Sequence, residues 1–160
     1  MKSFPDKVTS VGGHVIMLND PKSLKTFVLS WRAKKIRRVV NSSLAGEALA
    51  IVDTIGEIVY MKSMLKHIFG DRVERMPVIV MTDSQNLYAA VHSSSLVEDA
   101  WLIPDIACIQ QALDNGLVTE LKKVRGEEMM ANCLTKKGAG AEELMAVLST
   151  GIYDVPGDMK

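Results

Sequence analysis

The sequence predicts an α/β domain: a mixed sheet with an antiparallel hairpin edge and a parallel core, and helices on both faces. Three observations carry this. Two strand-like runs, residues 14–18 and 26–31, flank the turn Asn19-Asp20-Pro21-Lys22. An apolar run without alternation, residues 78–81, follows Pro77 and suits a strand covered on both sides. Apolar residues stepping by three and four fill the stretches between strands, as helices require.

The elements follow in order. Gly12-Gly13 precede the first strand, and the second returns from the turn. Residues 36–40 extend that strand or start a third. Ser42 and Ser43 offer helix caps. A long helix spans 44–69, with Ala48, Ile51, Val52, Ile55, Ile58 and Val59 as its apolar stripe, and Gly70 ends it. A central strand covers 78–82. Asp83-Ser84 end it and open a short helix reaching about His92. A Ser-rich loop spans 93–97. A second long helix spans 98–115, bent or restarted at Pro104 and closed by Gly116. A strand covers 117–124. A short helix over 127–134, a linker with Gly138 and Gly140, and a last helix over 142–148 complete the chain.

With 160 residues, the chain fits a single domain over 1–160. Its 48% apolar content is too high for disorder. Two cysteines, Cys108 and Cys133, exclude a disulfide scaffold. No apolar run approaches the roughly 18 residues of a membrane span, and the first residues carry no signal-peptide core. The expectation is an intracellular protein of the cytoplasm or nucleus, neither secreted nor bound to a membrane.

Charge is uneven although the total is zero. Between Asp20 and Glu47 there are seven basic and no acidic residues. Five of them, Arg32, Lys34, Lys35, Arg37 and Arg38, fall within seven positions. From residue 47 onward, ten basic residues face seventeen acidic ones. A cationic strand of this kind suits a phosphate backbone, from which it displaces condensed counterions. The plainer alternative is a solvated edge strand, where lysines block unwanted pairing.

Two acids stand out. Glu47 falls in the first turn of the long helix, beside its apolar stripe, so its side chain leans toward the sheet. Asp83 ends the most apolar strand, and functional groups gather at such carboxyl ends in open α/β sheets. Converging carboxylates repel unless a cation lies between them, and an all-oxygen ligand set selects Mg²⁺ or Mn²⁺. The plainer alternatives are a dipole contact for Glu47 and a helix cap for Asp83.

Five segments resemble the Ty1/copia-type retrotransposon ribonuclease H domain. Ser30-Trp31-Arg32-Ala33-Lys34-Lys35 is similar to its basic strand, and Ser42-Ser43-Leu44-Ala45-Gly46-Glu47-Ala48 to the opening of its first helix. Thr82-Asp83-Ser84-Gln85-Asn86-Leu87 resembles its strand end. Asp105-Ile106-Ala107-Cys108-Ile109 and Ala131-Asn132-Cys133-Leu134-Thr135-Lys136 resemble its later helices. The resemblance covers roughly residues 12–150. It implies a ribonuclease H-like fold and a polyprotein origin beside a reverse transcriptase. It also implies two-metal cleavage of the RNA strand of RNA–DNA hybrids, with four carboxylates holding Mg²⁺ or Mn²⁺. On it, Glu47 and Asp83 are metal ligands, and Asn132 takes a catalytic position. Arg32, Lys34, Lys35, Arg37, Arg38, Ser84, Gln85 and Asn86 form the nucleic-acid surface.

Two departures bear on activity. Asn132 is a neutral amide where the family has an acid. The family's first carboxylate belongs to a first, central strand that is largely missing here; Met1-Lys2-Ser3-Phe4 keeps only Ser3-Phe4 of that motif, and Asp6 is not counted as its replacement. Two dications facing two carboxylates are poorly neutralised, so cleavage is expected to be impaired. A central strand gap would also leave unpaired backbone groups on two strands. Three readings stay open: a hybrid-cleaving nuclease, a non-catalytic ribonuclease H-like domain that binds nucleic acid or protein, and an unrelated α/β interaction domain. His14, His67 and His92 show no zinc spacing, with His14 expected as a strand residue. Trp31 is expected in the hairpin core rather than stacking on a nucleotide. The ten methionines, including Met61, Met64, Met129, Met130 and Met145, are expected as core filler. No glycine-rich phosphate loop or nucleophile elbow is present.

Overall fold

The computed structural model describes residues 10–36, 42–93 and 100–157. Strands β1 (Val11–Asn19) and β2 (Thr26–Lys35) pair antiparallel, with a register shift between Ile16 and Met17. Asp20 shapes the turn: its carboxylate accepts hydrogen bonds from the Ser23 hydroxyl at 2.6 Å and the Lys22 N–H at 3.1 Å. The Asn19 amide then donates to Thr26 Oγ1 at 2.7 Å and to the Tyr153 carbonyl at 3.0 Å, tying the hairpin to the chain's far end.

Helix α1 (Ser43–Phe69) begins where Ser42 accepts the Ala45 N–H at 3.1 Å, satisfying one of the orphan donors of the first turn. It stops at Gly70, whose φ of 65° an L side chain would strain. Ser42→Ala is expected to lower stability by about 1 kcal/mol, read as a reduced urea midpoint at unchanged m-value; an unchanged midpoint would show that α1 is held by packing alone.

A 3₁₀ turn (Gly70–Arg75) leads to β3 (Ile79–Thr82), followed by α2 (Gln85–His92), α3 (Ile103–Asp114) and β4 (Glu120–Lys123), which pairs parallel to β3. A 3₁₀ turn (Gly126–Glu128) and two helices, α4 (Asn132–Thr135) and α5 (Glu142–Thr150), complete the order.

Hydrophobic burial is divided between the two faces of the strands. Ala48, Ile51 and Ile55 of α1 pack with Val80, Leu87, Ile106 and Ile109 in the larger core. Met130, Leu144, Val147 and Tyr153 form the smaller one, with Val15, Met17 and Val28 against it. Successive β1 residues serve opposite faces. A Cβ on Gly12 would lie 3.3 Å from Ala50 of α1, and one on Gly13 2.6 Å from Thr135 of α4. The Gly13 Cβ would also lie 2.7 Å from the Arg32 carbonyl of β2, so α4 and the paired strand together leave it no room.

Several sequence expectations need correction. Among the described residues there are two separate two-stranded sheets, β1–β2 and β3–β4, in place of one mixed sheet. The last strand is four residues, because Leu117 to Thr119 turn into the core and onto Val78 before the ladder begins. The helix expected over 127–134 is a 3₁₀ turn and one short α-turn, broken at Met129 and Met130. The helix expected from residue 98 starts at Ile103, with Pro104 in its first turn, where proline's missing N–H costs nothing; residues 94–99 lie outside the described residues. So do residues 37–41, and with them most of the possible third strand. Trp31 is 63% exposed, so it is no core residue, and Met64 and Met145 are exposed as well. Val59 leaves the apolar stripe for solvent, while the neighbouring Ile58 packs against the larger core. Among the described residues, no helix is long and apolar enough to cross a membrane.

Candidate functional site: a carboxylate cleft beside a basic strand

Asp83 follows β3 directly. The cap of α2 is not Asp83 but Ser84, whose hydroxyl accepts the Leu87 N–H at 3.2 Å. Asp83 is thereby released from capping, and its carboxylate turns to α4. There Oδ2 accepts a hydrogen bond from the Asn132 amide at 2.9 Å and another from the Lys136 ammonium at 2.9 Å. Asn132 also donates to the Gly126 carbonyl at 2.9 Å, and its own carbonyl accepts the Lys136 N–H at 2.8 Å. One helical turn thus fixes both donors on one carboxylate oxygen.

Burial pushes the Asp83 carboxyl upward, but the hydrogen bonds from Asn132 and Lys136 and the lysine's charge outweigh it, and the group sits below the ordinary carboxylate range. A depressed folded pKa contributes stability that is full above the unfolded value of about 3.9 and is lost as pH falls through the folded value. Lys136→Met is expected to raise the Asp83 pKa and to move that loss to higher pH. Carbon-detected titration of the Asp83 carboxyl checks this; an unmoved midpoint would mean that Lys136 only touches the surface of the acid.

Glu47 is the fifth residue of α1, one position beyond the first turn, so the dipole contact is not its main role. It is half-buried and lines a cavity of about 420 Å³ together with Asp83, Asn132 and Lys136. The remaining walls are β1 from Ser10 to Met17, Ala50 and Ile51 of α1, and the end of β3. The two acids therefore face one cleft. Their charges, with Lys136, sum to −1; Glu128, the other acid of the lining, is paired with Arg125 at 2.7 Å.

A two-ion site needs acceptors turned inward and negative charge enough for two dications. Here two hydrogen-bond donors point at the Asp83 oxygen, and one of them is a cation. Among the described residues, no three His, Cys, Asp or Glu side chains come together as a metal group. The donor set does not fit a pair of metal ions.

The basic strand borders this cleft. Arg32, Lys34 and Lys35 are exposed on β2, which pairs with the cleft wall β1. Arg32 lies 3.9 Å from Glu57, a long contact at an exposed position. Trp31, Ala33 and Lys35 share one face of β2, and Arg32 and Lys34 the other. Arg37 and Arg38 lie outside the described residues. Of the three residues after Asp83, Ser84 is occupied by its cap, Gln85 accepts a hydrogen bond from the Lys123 ammonium, and only Asn86 is exposed with no hydrogen bond to its side chain among the described residues.

Two features went unnoticed in the sequence. Lys136 was legible as the residue four beyond Asn132, which a helical turn places on the same face. His14 is buried on β1, with burial and then Arg32 lowering its pKa against the opposing pull of Glu57 and Asp53. Its Nε2 has no hydrogen-bond partner among the described residues, and nothing in the sequence pattern signalled that.

No family model matches the chain, and neither a curated protein nor a solved structure matches it.

Proposed function

We propose that this chain is a ribonuclease H-like domain of retroelement polyprotein origin, once adjacent to a reverse transcriptase, that binds RNA–DNA hybrid and does not cleave it. One observation supports the loss of cleavage: the Asp83 carboxylate is paired with the Lys136 ammonium and takes a second hydrogen bond from the Asn132 amide, both on Oδ2. An ammonium ion supplies one positive charge and no Lewis acidity. It can steady Asp83, but it cannot lower the pKa of an attacking water or hold a leaving oxygen.

Binding is supported by a different set of residues. Arg32, Lys34 and Lys35 lie exposed along one strand, and Trp31 stands exposed on the same face as Lys35 with an aromatic face available for stacking. The exposed tryptophan favours a nucleic-acid surface over a merely solvated edge, since solvation alone needs charge and not an aromatic ring.

The test is incubation with a labelled RNA–DNA hybrid in Mg²⁺ and in Mn²⁺. The expected result is a complex whose affinity falls linearly on a log–log salt plot, with the RNA strand intact. RNA cut under either metal would overturn the non-catalytic reading. Absence of any salt-dependent complex would overturn the binding reading.

A further inference from the structure

We infer that the pocket of about 190 Å³ between the β1–β2 hairpin and α1 is a binding site for a phosphate monoester, whether it ends a nucleic-acid strand or belongs to a small phosphorylated molecule. Its lining joins Arg32, Lys34 and Lys35 of β2 with Gly12 and His14 of β1 and Asp53 of α1. The strand register brings most of them together. Gly12 is opposite Lys34 and His14 is opposite Arg32, so these four share one face of the hairpin. That face is turned to α1, since a Cβ on Gly12 would lie 3.3 Å from Ala50. A side chain at position 12 would therefore intrude on the pocket, which Gly12 and Ala50 both line.

The charges select the ligand. Three cations against one carboxylate leave the lining at +2. Lys34 and Lys35 form no ion pair among the described residues, and Arg32 reaches Glu57 only at 3.9 Å from an exposed position, a contact worth little. Like charges gathered in one recess repel unless a counter-charge lies between them. A phosphate monoester carries a charge close to −2 above its second pKa of about 6, and its terminal oxygens accept hydrogen bonds from lysine and arginine. A backbone diester carries a single charge and offers fewer such oxygens, so it balances the lining less well. It also sits on the convex outside of a duplex, whereas a pocket receives an end. His14 adds to this. It is 7% exposed, and its Nε2 has no hydrogen-bond partner among the described residues, an uncommon state for a buried polar atom. Burial lowers its pKa, Glu57 and Asp53 of α1 pull it up, and Arg32 pulls it down. The ring thus lies within electrostatic reach of the pocket's charged groups, and a dianion held there favours its protonated form.

The strand-end source rests on the proposed binding of nucleic acid by β2; the small-molecule source does not. The probe is inorganic phosphate, titrated into the whole protein at about pH 8 and followed by NMR. The expected result is saturable shifts at the Gly12 and Lys34 amides with a millimolar Kd, and binding of dimethyl phosphate, a diester, at least about tenfold weaker. In saturating phosphate the His14 titration midpoint is expected to rise. Asp53→Asn removes the opposing carboxylate from an exposed position. It is expected to tighten phosphate by about threefold or more, and Lys34→Gln to weaken it by a similar factor. A gain in affinity cannot come from misfolding. Short single strands with a 5′-phosphate and with a 5′-hydroxyl separate the sources. Tighter binding of the phosphorylated strand than of inorganic phosphate assigns the pocket to a strand end; equal binding assigns it to a small phosphorylated molecule. No saturable shift at Gly12 and Lys34, equal binding of dimethyl phosphate, or unchanged affinity in Asp53→Asn overturns the site. Hybrid with hydroxyl ends is measured alongside and offers backbone diesters only. Its failure to bind while phosphate binds strikes the hybrid reading alone, and failure of phosphate while hybrid binds strikes the pocket alone.

Discussion

Changing Lys136 to Met and Asn132 to Asp together is expected to raise the affinity of the Asp83 cleft for Mn²⁺ well above that of the natural chain. The double change takes the summed charge at positions 47, 83, 132 and 136 from −1 to −3. Two unit charges about 4 Å apart interact by about 4 kcal/mol at the effective dielectric of a protein surface. Even a modest fraction of that, acting on a dication, gives at least about a hundredfold gain in affinity, or ~2.7 kcal/mol. Mn²⁺ is the suitable probe because it accepts carboxylate ligands and reports its surroundings by electron paramagnetic resonance.

A second signature separates this from mere loss of a salt bridge. Without metal, two neighbouring carboxylates at 83 and 132 repel, and the double variant is expected to melt below the natural protein at neutral pH. Added Mn²⁺ is expected to restore its Tm, because a ligand that binds only the folded state stabilises by mass action. If the natural chain already binds Mn²⁺ as tightly as the variant, the ammonium is not standing in for a metal, and the non-catalytic reading loses its main support. Cleavage is not expected to return with these two changes alone, since Glu128, the remaining acid of the cleft lining, is held by Arg125 at 2.7 Å and leaves only three carboxylates free for metal.

Local rules wrote much of the fold visibly into the sequence. Ser42 and Gly70 bracket α1 because caps and stops act on adjacent backbone groups, and the turn at Asp20 acts the same way. The limits of β4 were not legible, because pairing depends on where Val78 and Thr119 meet, 41 positions apart in the chain. Trp31 shows the same gap from another side. Alternation assigns it to a face of β2, but only the arrangement of α4 and α5 decides that this face is uncovered at residue 31. At the site, Glu47 and Asp83 were legible as acids placed to converge. That Lys136 would meet Asp83 was not, because it follows from how the chain after β4 folds back onto β3. The separation of the strands into two sheets among the described residues appears only in three dimensions.

Charge reversal at Lys34 and Lys35 is expected to weaken hybrid binding by roughly one to two orders of magnitude at low salt. Each lysine that neutralises a phosphate releases condensed counterions, worth about 0.9 in the log–log salt slope on a duplex. The two side chains stand on opposite faces of β2, so the slope should flatten by about one for each that meets a phosphate, a change no general destabilisation would mimic. Both side chains are exposed on β2 and their strand pairing uses backbone groups only, so the fold is expected to survive the replacement with glutamate. Trp31→Ala serves as the complementary variant. A stacked base contributes about 1–3 kcal/mol, so affinity for single-stranded nucleic acid should fall by about fivefold or more while the slope stays fixed, because no charge is removed. The two variants thus separate phosphate contact from stacking on the same strand. An unaltered slope in the lysine variant would place the nucleic acid elsewhere and leave β2 as a solvated edge, its lysines serving only to keep other strands away.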